Sequence, residues 1–167
     1  MGEAIVQFLS DMGITQYMAL FIISMAPVLE LRASVILGAA MGLDWYRVLA
    51  VCLLGNLVPI PFIILFLRPV LNYFKQTKSL SKLANWVQNR TMAKADKVLK
   101  YETFGLSLFV AIPLPGTGGW TGAIIAALLD MQLRRALPAI CFGVLCAGIL
   151  MTAASYGFFE ALTRLFF

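Results

Sequence analysis

The sequence predicts an all-α integral membrane protein. The expected architecture is an inverted repeat of two units, each a re-entrant helical hairpin followed by a transmembrane helix, joined by an amphipathic helical linker. Three observations predict it. The 167 residues are 61% apolar and only 13% charged, with a mean hydropathy of +0.89; an average soluble domain is about 45–50% apolar and about 25% charged. The charges are gathered between long uncharged runs, and two of the apolar regions are broken near their centres. A soluble fold of this size could not hide so much apolar surface, and the same composition excludes disorder. The chain is expected to form a single membrane domain over 1–167, with repeat one at about 12–70, the linker at about 71–102 and repeat two at about 103–167.

In chain order, Met1-Gly2-Glu3 lacks the basic start of a signal peptide, and the first basic residue is Arg32. The chain is therefore expected to enter the membrane directly. Met12–Leu43 is long for one helix and too short for two spans with a turn, and Pro27, Glu30 and Arg32 interrupt it. A re-entrant hairpin with legs of about 12–15 residues fits it better than one kinked span. Val48–Leu67, bracketed by Arg47 and Arg68, has the length of an ordinary span.

Arg68–Glu102 then carries eight basic residues against Asp96 and Glu102, with Leu80, Leu83, Trp86 and Val87 at helical spacing. It reads as a helix on the bilayer surface or a solvated linker. Thr103–Leu129 has no charge, yet Pro113-Leu114-Pro115-Gly116-Thr117-Gly118-Gly119 lies within it. Proline removes a donor and glycine is a poor helix former, so this is the second expected hairpin. Ala136–Phe159, between Arg135 and Glu160, is the second span.

The halves resemble one another. Pro27 precedes Asp44 by the same interval as Pro113 precedes Asp130, arginine follows each aspartate, and the spans contain Gly55 and Gly143. A hairpin plus a span makes an odd number of crossings, so the second unit is inverted. Ten of the thirteen basic residues then share the face of the linker and Asp130–Arg135, which the positive-inside rule makes cytoplasmic. Inversion brings both breaks to one depth, so a substrate site is expected at the midplane, between the hairpin tips.

Glu30 and Arg32 are the candidate chemistry of the first hairpin. Burial disfavours the charged form of a carboxyl, so Glu30 is a candidate to exchange a proton; Arg32 offers a fork suited to phosphate or carboxylate. The plainer alternative is that they neutralise each other and pin the hairpin. In the second hairpin Thr117, Gly118, Gly119, Trp120 and Thr121 combine permissive backbone with a helix start, which can hold an anion; a tight packing turn is the alternative. Asn56 is expected to hydrogen-bond backbone freed at the hairpin, ahead of any substrate contact. Gly38, away from either break, is expected to tolerate a methyl group better than Gly118. The absence of histidine excludes His-based triads and zinc sites. The three cysteines sit in apolar stretches with no CxxC pair and read as buried hydrophobes. No cofactor, metal or nucleic-acid partner is expected, and one Glu and one Arg are thin equipment for an enzyme.

Pro27-x-x-Glu30-Leu31-Arg32, Gly55-Asn56 with Pro59, and Pro113-Leu114-Pro115-Gly116-Thr117-Gly118-x-Trp120-Thr121-Gly122 resemble the bacterial and archaeal family of small multidrug export proteins, related to the DedA/VTT membrane proteins. The resemblance covers nearly the whole chain. It implies a multi-pass protein of the cell membrane with two facing re-entrant hairpins. It matches Glu30 to the acidic hairpin position and Arg32 to the adjacent basic one. DedA/VTT relatives are associated with moving lipids, including polyprenyl phosphate carriers, and with proton motive force. DedA proteins characteristically place arginine in the second hairpin, where this chain has Thr117, Gly118 and Gly119. Three readings follow: a proton-coupled transporter or flippase for an anionic-headed lipid or small substrate; an exporter of cationic amphipathic drugs with Glu30 as counter-ion; and a non-transporting scaffold. The expected partners are membrane lipids, a phosphate-headed lipid or amphipathic drug, protons and, as a further option, a second copy of the chain.

Overall fold

The computed structural model describes residues 15–76 and 102–166, apart from 28 and 115, together with residue 89. Among them every regular element is helical: α1 Gln16–Met25, α2 Glu30–Ala40, α3 Trp45–Leu57, α4 Pro59–Gln76, α5 Glu102–Ala111, α6 Gly119–Leu128 and α7 Leu133–Phe166. Most of the expected linker helix, Trp86 included, lies outside the described residues.

Two stretches are long and apolar enough to cross a membrane, Trp45–Leu67 and Leu133–Phe158. The first contains the expected Val48–Leu67, and the second covers the expected Ala136–Phe159 except for its last residue. Only 33% and 44% of their apolar windows is buried, whereas a soluble core helix of that length would be mostly covered. Phe62, Phe66, Phe142 and Phe158 instead stand outward, each more than half exposed. That arrangement suits hydrocarbon and not water. The first span changes helix at Val58 because Pro59 and Pro61 lack the amide donors that would bond to the carbonyls of Gly55 and Leu57. Proline likewise interrupts the ladder at Pro69 and Pro138.

The chain divides into two compact units. One comprises Met1–Val58 with Leu145–Phe167, the other Pro59–Val144. In the first unit α1, α2 and α3 pack mutually. Thr15 caps α1 by accepting the Met18 amide at 3.4 Å. Ala26 leaves the helix in an extended conformation, ahead of Pro27, which has no amide to donate. The C-terminal part of α7 joins them: a Cβ on Gly148 would meet Leu49 at 2.9 Å and Leu31 at 3.4 Å. Gly55 holds α3 against α1, since a Cβ there would overlap the Phe21 carbonyl oxygen and Ser24 Oγ. Gly38 faces Val48, whose two methyl groups would lie 2.6 and 2.8 Å from an added Cβ. Gly38 is therefore a close-packed position, since Val48 is β-branched and stiff and cannot swing aside cheaply.

In the second unit α6 packs against α4 and α5. Gly143 of α7 approaches α5 so closely that a Cβ would sit 2.7 Å from the Ser107 carbonyl oxygen. Gly122 of α6 is held against Val110, 2.5 Å from the Cβ position.

The ends of α2 and α6 are built alike. Gly42 and Asp130 both take the left-handed conformation, φ 65° and 58°. Gly42 donates to Ala39 and Leu43 to Gly38; Asp130 donates to Ala127 and Met131 to Ala126. This is the paired Schellman closure of a helix C-terminus. Asp130 thus corresponds to Gly42, while Asp44 is the residue before α3. The equal Pro-to-Asp intervals noted in the sequence do not join equivalent positions.

Candidate functional site

The first break is built from a short list of residues. Ser24, in the last turn of α1, donates its hydroxyl proton to the Phe21 carbonyl at 2.8 Å. The chain leaves α1 through Ala26 and Pro27, and the amide of Glu30 returns to the Ala26 carbonyl at 2.9 Å. Glu30 starts α2 with φ at +49°, a region that non-glycine residues occupy at a cost, at turns and caps and also at working sites. It is only 7% exposed. Its own carbonyl accepts the Ser34 hydroxyl at 3.1 Å. Arg32 is half-buried and within electrostatic reach of Glu30.

Asn56 completes this end of the unit. Gly38 lies against Val48, and Ser34 lies against Cys52 one turn further on. Glu30 at the start of α2 and Asn56 near the end of α3 lie at the same end of the unit. Asn56 is 2% exposed, and its Oδ1 has no hydrogen-bond partner. No backbone N–H of the break donates to this oxygen.

The opposite end of the unit carries a different chemistry. Arg47 Nη1 is 3.2 Å from Asp44 Oδ2, its Cζ lies 5.6 Å from the Tyr46 ring centre, and the guanidinium is close to Tyr17. Trp45 and Tyr46 meet edge to face. Tyr156 donates to the Leu43 carbonyl at 2.8 Å. Aromatic and charged groups from the start of α1, the end of α2, the start of α3 and the last turns of α7 are thus gathered at one level. Such a belt marks a membrane–water interface.

Every buried polar or charged residue among the described ones lies in this first unit: Ser24, Glu30, Ser34, Asn56, Thr152 and Ser155. Sequence reasoning singled out Glu30 and Asn56 and missed the other four. A hydroxyl in an apolar run signals little, because Ser and Thr satisfy themselves on the preceding turn. Ser24 and Ser34 do so; Thr152 Oγ1 has no hydrogen-bond partner.

In the second unit the break runs from Ile112 to Gly118. The Thr117 hydroxyl lies 2.7 and 2.8 Å from the carbonyls of Ile112 and Leu114, and the Thr117 amide donates to Leu114 at 3.1 Å. Thr117 therefore ties the turn together. Gly116 at φ 80° and Gly118 at φ 141° hold conformations that side chains rarely adopt. Gly118 and Gly119 are buried, and Trp120 and Thr121 are half-buried on the first turn of α6. An apolar hollow of about 280 Å³ runs along α5 from Phe104 and Leu108 to Ile112, Leu114 and Thr117. The expected site residues therefore fall into two groups. Glu30, Arg32 and Asn56 share one end of the first unit, and Thr117, Gly118, Gly119, Trp120 and Thr121 form the break of the second.

A family model described as "Putative small multi-drug export protein" matches residues 30–150. No curated protein and no solved structure matches the chain.

Proposed function

The chain belongs to the small multi-drug export protein family, and from that premise we propose that it is a proton-coupled membrane transporter in which Glu30 is the coupling carboxyl. The observation that carries the reading is Glu30 itself: an ionisable group, nearly buried, at a backbone break in a left-handed conformation. Asn56, at the same end of the first unit, stands about 16 Å along α3 from Trp45. In a hydrocarbon layer about 30 Å thick that depth is near the midplane. A membrane-buried carboxyl is costly, and such groups mark ion and substrate paths.

The proposed architecture is DedA-like, with two re-entrant hairpins in inverted repeats. Several features support it. Legs α1 and α2 have 10 and 11 residues, about half a membrane thickness each. They begin and end at the aromatic belt around Tyr17 and Leu43. The matching caps at Gly42 and Asp130, and the matching close approaches at Gly55 and Gly143, support the repeat.

For the substrate, an anionic-headed amphipathic molecule is the leading reading. Two features, each within its own unit, support it: Arg32 carries a fork suited to an anionic group, and the hollow along α5 has the apolar lining a hydrocarbon chain needs. The second reading is export of cationic amphipathic compounds, and a specific feature favours it: Glu30 and Asn56 Oδ1 are both acceptors. A binding assay on the purified protein with polyprenyl phosphate and with a cationic dye separates them. In vesicles with an imposed pH gradient, transport of the bound compound should be lost in Glu30→Gln. Full pH-driven transport by that variant would end the reading.

A further inference from the structure

We propose that Thr152, Cys52 and Ser34 line a water-bearing path by which protons pass from the aromatic belt at Tyr156 to the first turn of α2, where Glu30 stands. The inference rests on the reading of Glu30 as the coupling carboxyl and supplies the route that such a carboxyl needs.

Thr152 carries the observation that points to water. It is 6% exposed, and its Oγ1 has no hydrogen-bond partner. A helical threonine ordinarily satisfies itself on the carbonyl one turn back; Thr152 does not. A buried hydroxyl without a partner is costly, and in native proteins it marks a water or a ligand. Contacts on either side fix where Thr152 lies. One turn before it, a Cβ on Gly148 would meet Leu49 at 2.9 Å and both Leu31 and Leu53 at 3.4 Å. One turn after it, Tyr156 donates to the Leu43 carbonyl at 2.8 Å. Residues four apart share a helix face. Thr152 therefore stands on the stripe of α7 that meets α2 and α3, between the levels of Leu31 and Leu43.

The remaining links are contacts within the same unit. Tyr156 is within electrostatic reach of Cys52, and Cys52 lies against Ser34. The Ser34 hydroxyl is 3.1 Å from the Glu30 carbonyl. Ser34 and Cys52 are fully buried. Hydroxyl, thiol and water each both donate and accept, as a relay requires: a group takes a proton on a lone pair and releases the one it held. The proton leaves bulk water at the belt and ends on the Glu30 carboxylate. Helix α2, with 11 residues, spans about 16 Å of this route. A water joined to two groups by bonds of about 2.8 Å each covers about one helical turn, so single waters bridge stations one turn apart. Of the other titratable groups, Tyr17, Asp44, Tyr46 and Arg47 lie at the belt. Arg32 is within electrostatic reach of Glu30 at the inner end. Helix α7 adds Cys146 and the exposed Glu160.

The test uses the full-length protein with Cys141 and Cys146 replaced, so that Cys52 is the single thiol, and silver ion as a water-sized probe. Cys52 has no solvent exposure, yet silver in nitrate buffer should titrate it, read as protection from a maleimide after unfolding. Thr152→Val keeps the shape without the hydroxyl; it should slow this titration about tenfold, and Thr152→Ser should restore it. Thermal unfolding separates a wet site from a dry one. Removing a dry, unpartnered hydroxyl relieves its burial cost and raises the midpoint, whereas removing a water-bonded one brings no gain. A raised midpoint in Thr152→Val would overturn the path. So would Cys52 inert to silver, or titrated equally fast in Thr152→Val. In vesicles, pH-driven transport should fall about tenfold in Thr152→Val and recover in Thr152→Ser. Transport that needs Glu30 and is unchanged in Thr152→Val would overturn this inference and leave the proposed function standing. Silver titration that depends on Thr152, with full pH-driven transport in Glu30→Gln, would support the path and remove the proposed function.

Discussion

Glu30 concentrates the chemistry of the first unit into one residue, and its neighbour Arg32 makes the sharper prediction. If Arg32 grips an anionic head through its planar fork, Arg32→Lys keeps the charge and loses the two-point contact. Transport should fall about tenfold or more, read as initial rates in vesicles, while Glu30→Gln should abolish its pH dependence. The glycines of the second break are argued from backbone geometry. Gly118 sits at φ 141°, so Gly118→Val should destabilise the turn by about 1–3 kcal/mol, read as a lowered unfolding midpoint in detergent. Gly38→Ala should now cost a comparable amount, about 1–3 kcal/mol for overpacking against Val48. Near-wild-type unfolding of Gly38→Ala would show that α2 and α3 can part by a few tenths of an ångström at no cost.

Each unit has a glycine that permits two helices to approach closely, α3 on α1 in the first and α7 on α5 in the second. Gly55 and Gly143 would each drive a Cβ into a backbone carbonyl, of Phe21 and of Ser107. Backbone cannot rotate away as a side chain can, so Gly55→Ala and Gly143→Ala should both lower the unfolding midpoint strongly. Gly42 is the contrasting case. Its φ is +65° but nothing lies within 4 Å of an added Cβ, so Gly42→Ala should cost only the left-handed conformation, about 1 kcal/mol. Asp130 holds the same position after α6 with a side chain. Asp130→Gly should therefore be neutral to slightly stabilising at the cap. A large loss of stability in Gly42→Ala alongside tolerance at Gly55 would reverse this assignment of roles.

At the scale of the molecule, the proposed topology is the matter to test. The expected inverted topology, drawn from the split of basic residues, would have Asp44 and Gln132, the residues before α3 and α7, on opposite faces of the membrane. Single cysteines at Asp44→Cys and Gln132→Cys, in a background lacking Cys52, Cys141 and Cys146, should react with an impermeant reagent from opposite sides of intact cells. Both positions are exposed, so silence cannot be blamed on burial. Labelling of both from one side would remove the inverted repeat.

The amino-acid sequence by itself determined the membrane class, both spans, both breaks and the family motifs. These follow from composition, charge spacing and the chemistry of proline and glycine, which act locally and do not need neighbours. It also picked out Glu30, because an ionisable residue in an apolar run is conspicuous wherever it ends up. What only the tertiary structure decided was pairing. The burial of Glu30, the contacts that Gly38, Gly55 and Gly143 make possible, and the shared cap geometry of Asp130 and Gly42 depend on how the chain folds and its helices dock. Intervals counted along the chain equated Asp44 with Asp130, but equivalence is set by cap geometry: one precedes a helix and the other closes one. The same holds for the polar interior of the first unit. Ser24, Ser34, Asn56 and Thr152 are scattered through apolar segments, and their burial becomes visible only when the helices carrying them pack.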